Sequence, residues 1–565
     1  MKVRRIISLL AVTGMVASLL AGCGGSTGTD GADTGNTQAA ADEAAGESMD
    51  NGAEEQASGE IVPLTALIVK SALTKDLNEI QWLTNLEERT GVSIEWQQIS
   101  ADWDQKKNVM FASGDIPDLL FAAAGDADFV QYNGLFEDMG PLIDQYAPNV
   151  KEMFETYPDI KYACMDMDGK IYNLPRIDGT YESCKNYGSM FINKTWLDNL
   201  NLEVPTNWDE LETVLLAFKE QDANGNGDPD DEIPMDFNAS DYFGIGGNFS
   251  AGHLLGGLGI PLSNGWGSGF FAEDGEVKCW YVDERFRTLL IFLQKLWNEG
   301  LINEATFTND YSQFQSTARG EGETAAVGFT WGWNFTDRFG TGVADQYVQV
   351  APLKGDSNLP DEKLYYTSED TFFGKNVISM SANCKDKEAA MRFINGLYDY
   401  EVSLEVMWGG MNYVDNCIKK NDDGTYEVLP PEDPAMDPSS WQWTNTLVNT
   451  CGMWVRNDVK VKTPVPDTTL EEKAFFNPYQ EKIPANCLYK QDLMKYSQED
   501  QNVLAMNGTN MSNIWTQQVA QWIVGTDDIE AGWDAYVSSI ENAGLSETLE
   551  IRQKAFDAYL DSQSK

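Results

Sequence analysis

Between Ile61 and Ala123 the chain alternates strand and helix patterns without a break, and this alternation restricts the fold more than any other feature. Ile61 to Val69 reads as a strand. Thr74 to Thr90 carries Leu77, Ile80, Leu83 and Leu86 on one helical stripe and stops at Gly91. Val92 to Ile99 alternates as a strand does, Trp103 to Ser113 reads as a short helix, and Leu119 to Ala123 is an apolar strand. Successive strands joined through helices imply a sheet with parallel strands and helices on both faces. Helices are expected again at Trp208 to Gln221 (capped by Thr206 or Asn207), Asp283 to Glu299, Lys387 to Tyr398 and through most of Met511 to Leu560, with a buried strand at Ala325 to Trp331. The 565 residues exceed what one core holds, so the expected fold class is α/β with at least two lobes.

Charge then removes whole classes of function. Asp and Glu number 89 against 39 Lys and Arg, a net charge of −50. Such a surface repels phosphate backbones, so no nucleic-acid partner is expected. His253 is the only histidine, which leaves almost no material for Ser-His-Asp hydrolysis or multi-His metal chemistry. No hydrolase signature is visible, and the chain is not expected to be an enzyme.

The first sixty residues read as an address and a tether. Lys2, Arg4 and Arg5 precede an apolar run from Ile6 to Leu20, short for a membrane span and suited to a signal peptide over residues 1–22. The run ends in Leu20-Ala21-Gly22-Cys23, the pattern in which a cysteine is diacylated and becomes the new N-terminus. Residues 23–60 are acidic, rich in Gly, Ala, Ser and Thr, and cannot bury enough surface to fold. They are expected to tether the folded part to the extracellular face of the cell membrane. The other seven cysteines are scattered and lack a CxxC pair, which suggests neither a disulfide framework nor a zinc site. Cys164 and Cys184 flank one turn and could pair; buried free thiols are the favoured alternative.

Several segments together resemble the family 1 extracellular solute-binding lipoproteins of ABC sugar importers, above all their large calcium-carrying oligosaccharide and alginate binders. They are Phe111 to Asp118 (FASGDIPD), Asp168 to Pro175 (DGKIYNLP), Ile192 to Leu197 with Val204 to Leu211, Ala390 to Tyr398, and Gly525 to Tyr536. The resemblance implies two α/β lobes joined by a hinge, with a carbohydrate closing between them and an ABC permease as membrane partner. The N-terminal lobe is expected at 61–185 plus 354–405 and the C-terminal lobe at 186–353 plus 406–565, in a protein that works as a monomer.

The segment Asp222, Asn224, Asn226, Gly227, Asp228, Asp230, Asp231, Glu232 places oxygen ligands at every second residue around a turn-permitting glycine, as a Ca2+ loop requires. It matches EF-hand positions 1, 3, 5, 6, 7 and 9 but has Ile233 at position 12. The resembling sugar binders close a similar loop with an acidic pair before Ile-Pro. Here the stretch is one acid longer, so which carboxylates close it stays open. Asp228 is expected to offer its backbone carbonyl, and the metal a structural role.

Sugars offer apolar faces to aromatic rings and hydroxyls to polar groups. Trp331 and Trp333 end a strand, Trp408 lies beside an expected crossing between lobes, and Trp266 sits in a glycine-rich loop. Asp115, Asp118, Arg176 and Asp370 are the polar candidates for the cleft. The scarcity of cations favours a neutral oligosaccharide over a polyuronate. A glycan-degrading enzyme and a peptide receptor are the alternatives.

Overall fold

The computed structural model describes residues 61–563 apart from 240–243, 321, 414–415, 432–437 and 465–466. Cys23, the signal segment and the tether lie outside the described residues. Two sheets organise the folded part. The larger has six strands in the order Met453–Val455, Leu174–Asp178, Phe373–Met380, Leu119–Phe121, Val62–Val69, Val92–Ile99. Val62–Val69 runs parallel to both Val92–Ile99 and Leu119–Phe121, as the strand–helix alternation requires. Phe373–Met380 inserts antiparallel between Leu119–Phe121 and Leu174–Asp178. The smaller sheet has the order Tyr347–Gln349, Ser189–Asn193, Val327–Gly332, Ile233–Asp236.

Local chemistry sets the element ends. The first helix spans Gln81–Thr90 and buries Trp82, Leu83 and Leu86. It starts later than the apolar stripe because Asp76 accepts from the Asn78 amide, closing a separate turn at Leu77–Glu79, and Ile80 is extended. Gly91 ends it at φ 67°, a left-handed conformation that costs glycine little. The Trp208–Glu220 helix is capped by Asn207, whose Oδ1 accepts from the Glu210 amide at 2.9 Å. Glu210 returns its carboxylate to Thr206.

Each sheet has its own core. One cluster joins Leu64, Ile68, Trp82, Ile94, Phe121, Ile378, Phe393 and Trp454 around the large sheet. The other joins Ile192, Trp208, Leu215, Phe286, Phe329, Trp331, Trp515, Trp522 and Trp533 around the small one. The long C-terminal helices Gln498–Ile523, Ile529–Asn542 and Leu545–Gln563 complete this second lobe. A tryptophan buried from water there contributes about 4–6 kcal/mol at most, from about 150–250 Å² of area.

Two boundaries between lobes differ from expectation. Lys354 bridges Asn207, and the Tyr365 amide donates to Gly256 O, so the chain stays in the second lobe until about Thr371. It also remains in the first lobe well past 405, because Met453–Val455 pairs in parallel with Leu174–Asp178. The last crossing therefore falls after Lys462, before the Thr469–Ala474 helix. Short strands at 418–420, 426–428, 453–455 and 461–462 carry too little periodicity to reveal this. The seven cysteines of the described part are all buried and form no disulfide with one another, Cys164 and Cys184 included.

Candidate functional site

The lobes meet along a seam. On the second lobe, residues 491–501 face the Asp126–Gln131 and Pro158–Cys164 helices of the first. Lys495 Nζ donates to Ala163 O at 3.2 Å and also to Met165 O. Gln498 Nε2 donates to Val130 O at 2.8 Å. These acceptors lie at the C-terminal ends of short helices, where carbonyls are otherwise unpaired and a cation is favoured.

Two cavities flank this contact. One, of about 370 Å³, is lined by Asp126, Phe129, Tyr172, Lys375, Lys495 and Tyr496 among others. The second, of about 300 Å³, includes Tyr157, Lys185, Asp370, Phe373, Lys490 and Asp492. Both use the Pro158–Cys164 helix, its end in the first and its start in the second, and the start of the Phe373–Met380 strand as walls.

Charges in the seam are matched locally. Asp370 accepts from Lys185 at 2.7 Å and from Lys490 at 2.8 Å. Burial works against its ionisation, but the two ammonium groups outweigh it and hold its pKa below the usual carboxylate value. Lys375 Nζ donates to Asp126 Oδ2 at 2.5 Å. Burial raises the Asp492 pKa against the opposing pull of Lys375, and pushes Lys495 down to about 8. Beside the second cavity, burial lifts Glu369 to about 8; its Oε2 accepts from Trp266 Nε1 at 3.3 Å. Rings, carboxylates and ammonium groups thus alternate along the seam, which suits a ligand with both hydroxyls and apolar faces.

The sequence candidates divide. Asp370 lines the second cavity. Arg176 is half-buried, and its side chain makes no hydrogen bond or ion pair among the described residues. It lies across Gly374, where a Cβ would come 3.3 Å from its Nε. Trp333 is half-buried just past the end of its strand, with ring centroids of Tyr181 and Tyr187 at 5.8 and 6.0 Å. It borders neither cavity, but its neighbour Tyr181 precedes Glu182, which does. Trp331, two residues earlier on the strand, points instead into the core against Phe237 and Phe329 and is fully buried.

Three other candidates are structural as placed. Trp266 is enclosed by His253 and Trp280. Trp408 ends the Tyr400–Trp408 helix inside the first core. Asp118 is buried and accepts from Thr65 N at 2.9 Å, Thr65 Oγ1 at 2.8 Å and Lys385 N at 3.1 Å. Asp115 is exposed in the loop before its strand, apart from both cavities. Sequence reading missed Lys185, Lys375, Lys490, Asp492 and Lys495. Their one signal was scarcity: in so acidic a chain, lysines at 473, 482, 490 and 495 form a local concentration.

The acidic loop folds as nested turns. Asn224 Oδ1 accepts from the Asn226 amide, Asn226 Oδ1 from the Asp228 amide and Asp228 Oδ1 from the Asp230 amide. Asp231 accepts from the side-chain amides of Asn224 and Asn226, and Asp222 Oδ2 from the Gly227 amide. Asp222 Oδ1 and Glu232 Oε2 are buried without a hydrogen-bond partner. Burial, and then the charge of Asp231, raise the Glu232 pKa. No three His, Cys, Asp or Glu side chains converge as a metal cluster among the described residues.

Residues 70–402 match the sequence profile of the bacterial extracellular solute-binding proteins. The chain belongs to this family. A curated relative, the fructooligosaccharide ABC transporter substrate-binding protein FusA of Streptococcus pneumoniae, is 29% identical over 524 residues, covering 86% of this chain and 88% of its own. Among solved structures, an HMO-binding, ABC-transporter-associated solute-binding protein from Bifidobacterium longum infantis superposes with a TM-score of 0.79 at 30% identity, covering 89% of this chain and 99% of its own. FusA in complex with kestose gives a TM-score of 0.76 at 26% identity, covering 88% and 100%; a further FusA structure is of an EF-hand mutant with fructo-nystose. The two-lobe architecture of these solute-binding proteins is the one described above.

Proposed function

We propose that this solute-binding protein captures an oligosaccharide between its lobes and delivers it to an ABC importer, anchored by lipid on Cys23 at the outer face of the membrane. The observation that carries the reading is the seam itself, in which two adjoining cavities share walls from both lobes and alternate aromatic rings with carboxylates and ammonium groups. The names of the relatives add support. Asp370, Asp492 and the lysines beside them supply acceptors and donors to hydroxyls. Arg176 offers an unpaired guanidinium. Trp333 offers an indole face at the hinge. A ligand touching both walls favours the closed state by its extra contacts there, and closure is what a permease can sense.

The acidic loop would hold Ca2+. Asp222 and Glu232 each keep a buried, unpartnered carboxylate oxygen, as a hard oxygen-seeking cation needs. Asn224, Asn226, Asp230, Asp231 and the Asp228 carbonyl would complete the donors. The ion would brace the loop after the Trp208–Glu220 helix.

A thermal-shift screen of residues 61–565 tests the reading, using kestose, fructo-nystose, pooled HMOs, Man5GlcNAc and mixed oligopeptides, with and without EDTA. A ligand at a hundred times its Kd adds about 2.7 kcal/mol. A glycan that raises the melting temperature and is recovered intact supports the proposal. Stabilisation by peptides alone, or consumption of the glycan, refutes it. Unchanged melting in EDTA and then in added Ca2+ refutes the calcium assignment.

A further inference from the structure

Lys473 is a buried cation with no carboxylate on its ammonium among the described residues. It lies on the Thr469–Ala474 helix, the first element after the last crossing between lobes, and is 1% exposed. Its Nζ donates to Tyr187 O at 2.6 Å and Ser189 Oγ at 3.3 Å, on the first crossing and the strand after it. The same Nζ stands 4.2 Å from the centre of the Trp333 ring. Neighbouring contacts repeat the docking. Asn334 Nδ2 donates to Thr469 Oγ1 at 2.7 Å, and the Phe335 amide donates to Glu472 Oε2 at 2.9 Å. Three consecutive residues, 333 to 335, are therefore bolted to one helix. Tyr181, packed against Trp333, closes the circle by donating its hydroxyl to Asp467 at 2.6 Å.

We infer that Lys473 is a positioning residue for Trp333: its ammonium clamps the indole and ties it to the first and last chain crossings, so that stacking on the ring and movement of the hinge are one event. This rests on the reading of Trp333 as a stacking surface. A cation over an indole is attracted by the ring quadrupole, most strongly when desolvated. The ammonium engages the ring on its protein side, and the part-exposed remainder of the ring is left for a sugar. An apolar residue at 473 would fill the space but leave the ring free to turn and the Tyr187 carbonyl unpaired.

The clamp is proton-dependent. Burial lowers the Lys473 pKa to about 7, with the Cys184 thiol, the Glu472 and Asp337 carboxylates and Glu369 facing it; burial keeps the proton on Cys184 up to about 12 and on Glu369 up to about 8. Tyr187 is also against it, and neutral His253 is nearby. The clamp is therefore charged below pH 7 and released above it.

The test has two arms, and Lys473→Met, of similar length and without a charge to bury, is the main variant. In the first arm, tryptophan emission of the ligand-free chain is followed from pH 5.5 to 8.5. The native chain should show a transition near pH 7 that both Lys473→Met and Trp333→Phe lose. Glu369→Gln, which removes the neighbouring acid titrating close by, should keep it. In the second arm, kestose binding is measured by calorimetry for the native chain, both single variants and the double variant. With the uncharged form binding about tenfold more weakly, native affinity should fall about fivefold from pH 6 to pH 8, and Lys473→Met should not show that slope. At pH 6 Lys473→Met should bind about tenfold more weakly, and the double variant no more weakly than Trp333→Phe alone. A transition that persists in Lys473→Met, or losses that add in the double variant, overturns the inference. Trp333→Ala with native kestose affinity refutes the stacking reading instead, while the emission transition still reports the clamp. If kestose binds none of the chains, the emission arm decides.

Discussion

Arg338 offers the sharpest test of how the second lobe holds its shape behind the Trp333 loop. It is fully buried, and its guanidinium donates to Asp236 Oδ2 at 2.8 Å, to Thr330 Oγ1 at 3.0 Å and to Phe314 O. It also lies 3.5 Å from the centre of the Phe314 ring. Arg338→Met keeps most of the volume but strands the Asp236 carboxylate, which is left with Asn303 Nδ2 at 2.9 Å as its partner. Breaking a buried pair from one side costs about 3–5 kcal/mol, because the remaining charge stays desolvated. With a urea slope near the upper end for folded domains, about 3 kcal/mol per M, the midpoint should fall by about 1–1.7 M. The sign with pH follows from Asp236. Burial already raises its pKa, with Arg338 opposing, so losing Arg338 raises it further. An acid whose folded pKa is raised favours folding in its protonated form. The deficit of Arg338→Met should therefore narrow as pH falls from 7 to 5. Asp236→Asn added to Arg338→Met should recover at least half the loss at pH 7. Urea unfolding followed by circular dichroism at both pH values checks this. A deficit below about 1 kcal/mol at pH 7, or a double variant as unstable as the single, refutes the reasoning.

Other outcomes follow from the seam and its surroundings. Lys495→Met with Gln498→Ala removes the bonds from residues 495 and 498 across the seam, worth about 1.5–3 kcal/mol for a charged donor, so small-angle scattering of the ligand-free chain should show a larger radius of gyration. Glu369 keeps its proton in the folded chain up to about pH 8, so native stability falls as pH rises from its unfolded pKa toward 8. Glu369→Gln should gain on the native chain over that range in thermal melts and match it near pH 4. Cys23→Ser should release the protein from cells into the medium, read by fractionation. A neutral glycan should bind with little change between low salt and about 0.5 M NaCl, whereas an acidic one should weaken steeply as its charges are screened.

The strand and helix order from Val62 to Phe121 was legible because its three strands pair in parallel through intervening helices. Val92–Ile99 and Gln81–Thr90 carry enough residues to show a period. The last crossing was not, because a strand as short as Met453–Val455 has no period and its partner lies far back in sequence, at Leu174–Asp178. The site divides in the same way. Asp370 stands in the seam and Trp333 at the hinge. But Trp331 and Trp333 share a local sequence, and only the end of the strand after Gly332 separates the core ring from the half-exposed one. Trp266 and Trp408 show the general difficulty. An aromatic in a glycine-rich loop or beside a hinge has the composition of a binding residue, and its burial depends on what folds over it from elsewhere. The seam lysines are long-range partners of Asp126 and Asp370, and a single sequence carries no record of such pairs.

The charge of the chain gives those lysines their meaning. Both lobes draw on a sequence with 89 acids and 39 basic residues, so bringing two walls together would press like charges against one another. Where the walls meet, the balance differs. The two cavities are lined by seven acids and five lysines, a far higher basic share than the chain as a whole. Lys185 and Lys490 neutralise Asp370, Lys375 neutralises Asp126, and Lys495 turns to helix-end carbonyls. The closing surface is thus close to neutral while the outer surface stays strongly anionic. Such a seam has no excess charge for attracting an anionic cargo. It presents paired donors and acceptors whose spare hydrogen-bonding capacity suits hydroxyls. A neutral sugar would gain there from contacts made on both walls at once, which is the difference in affinity that closure needs.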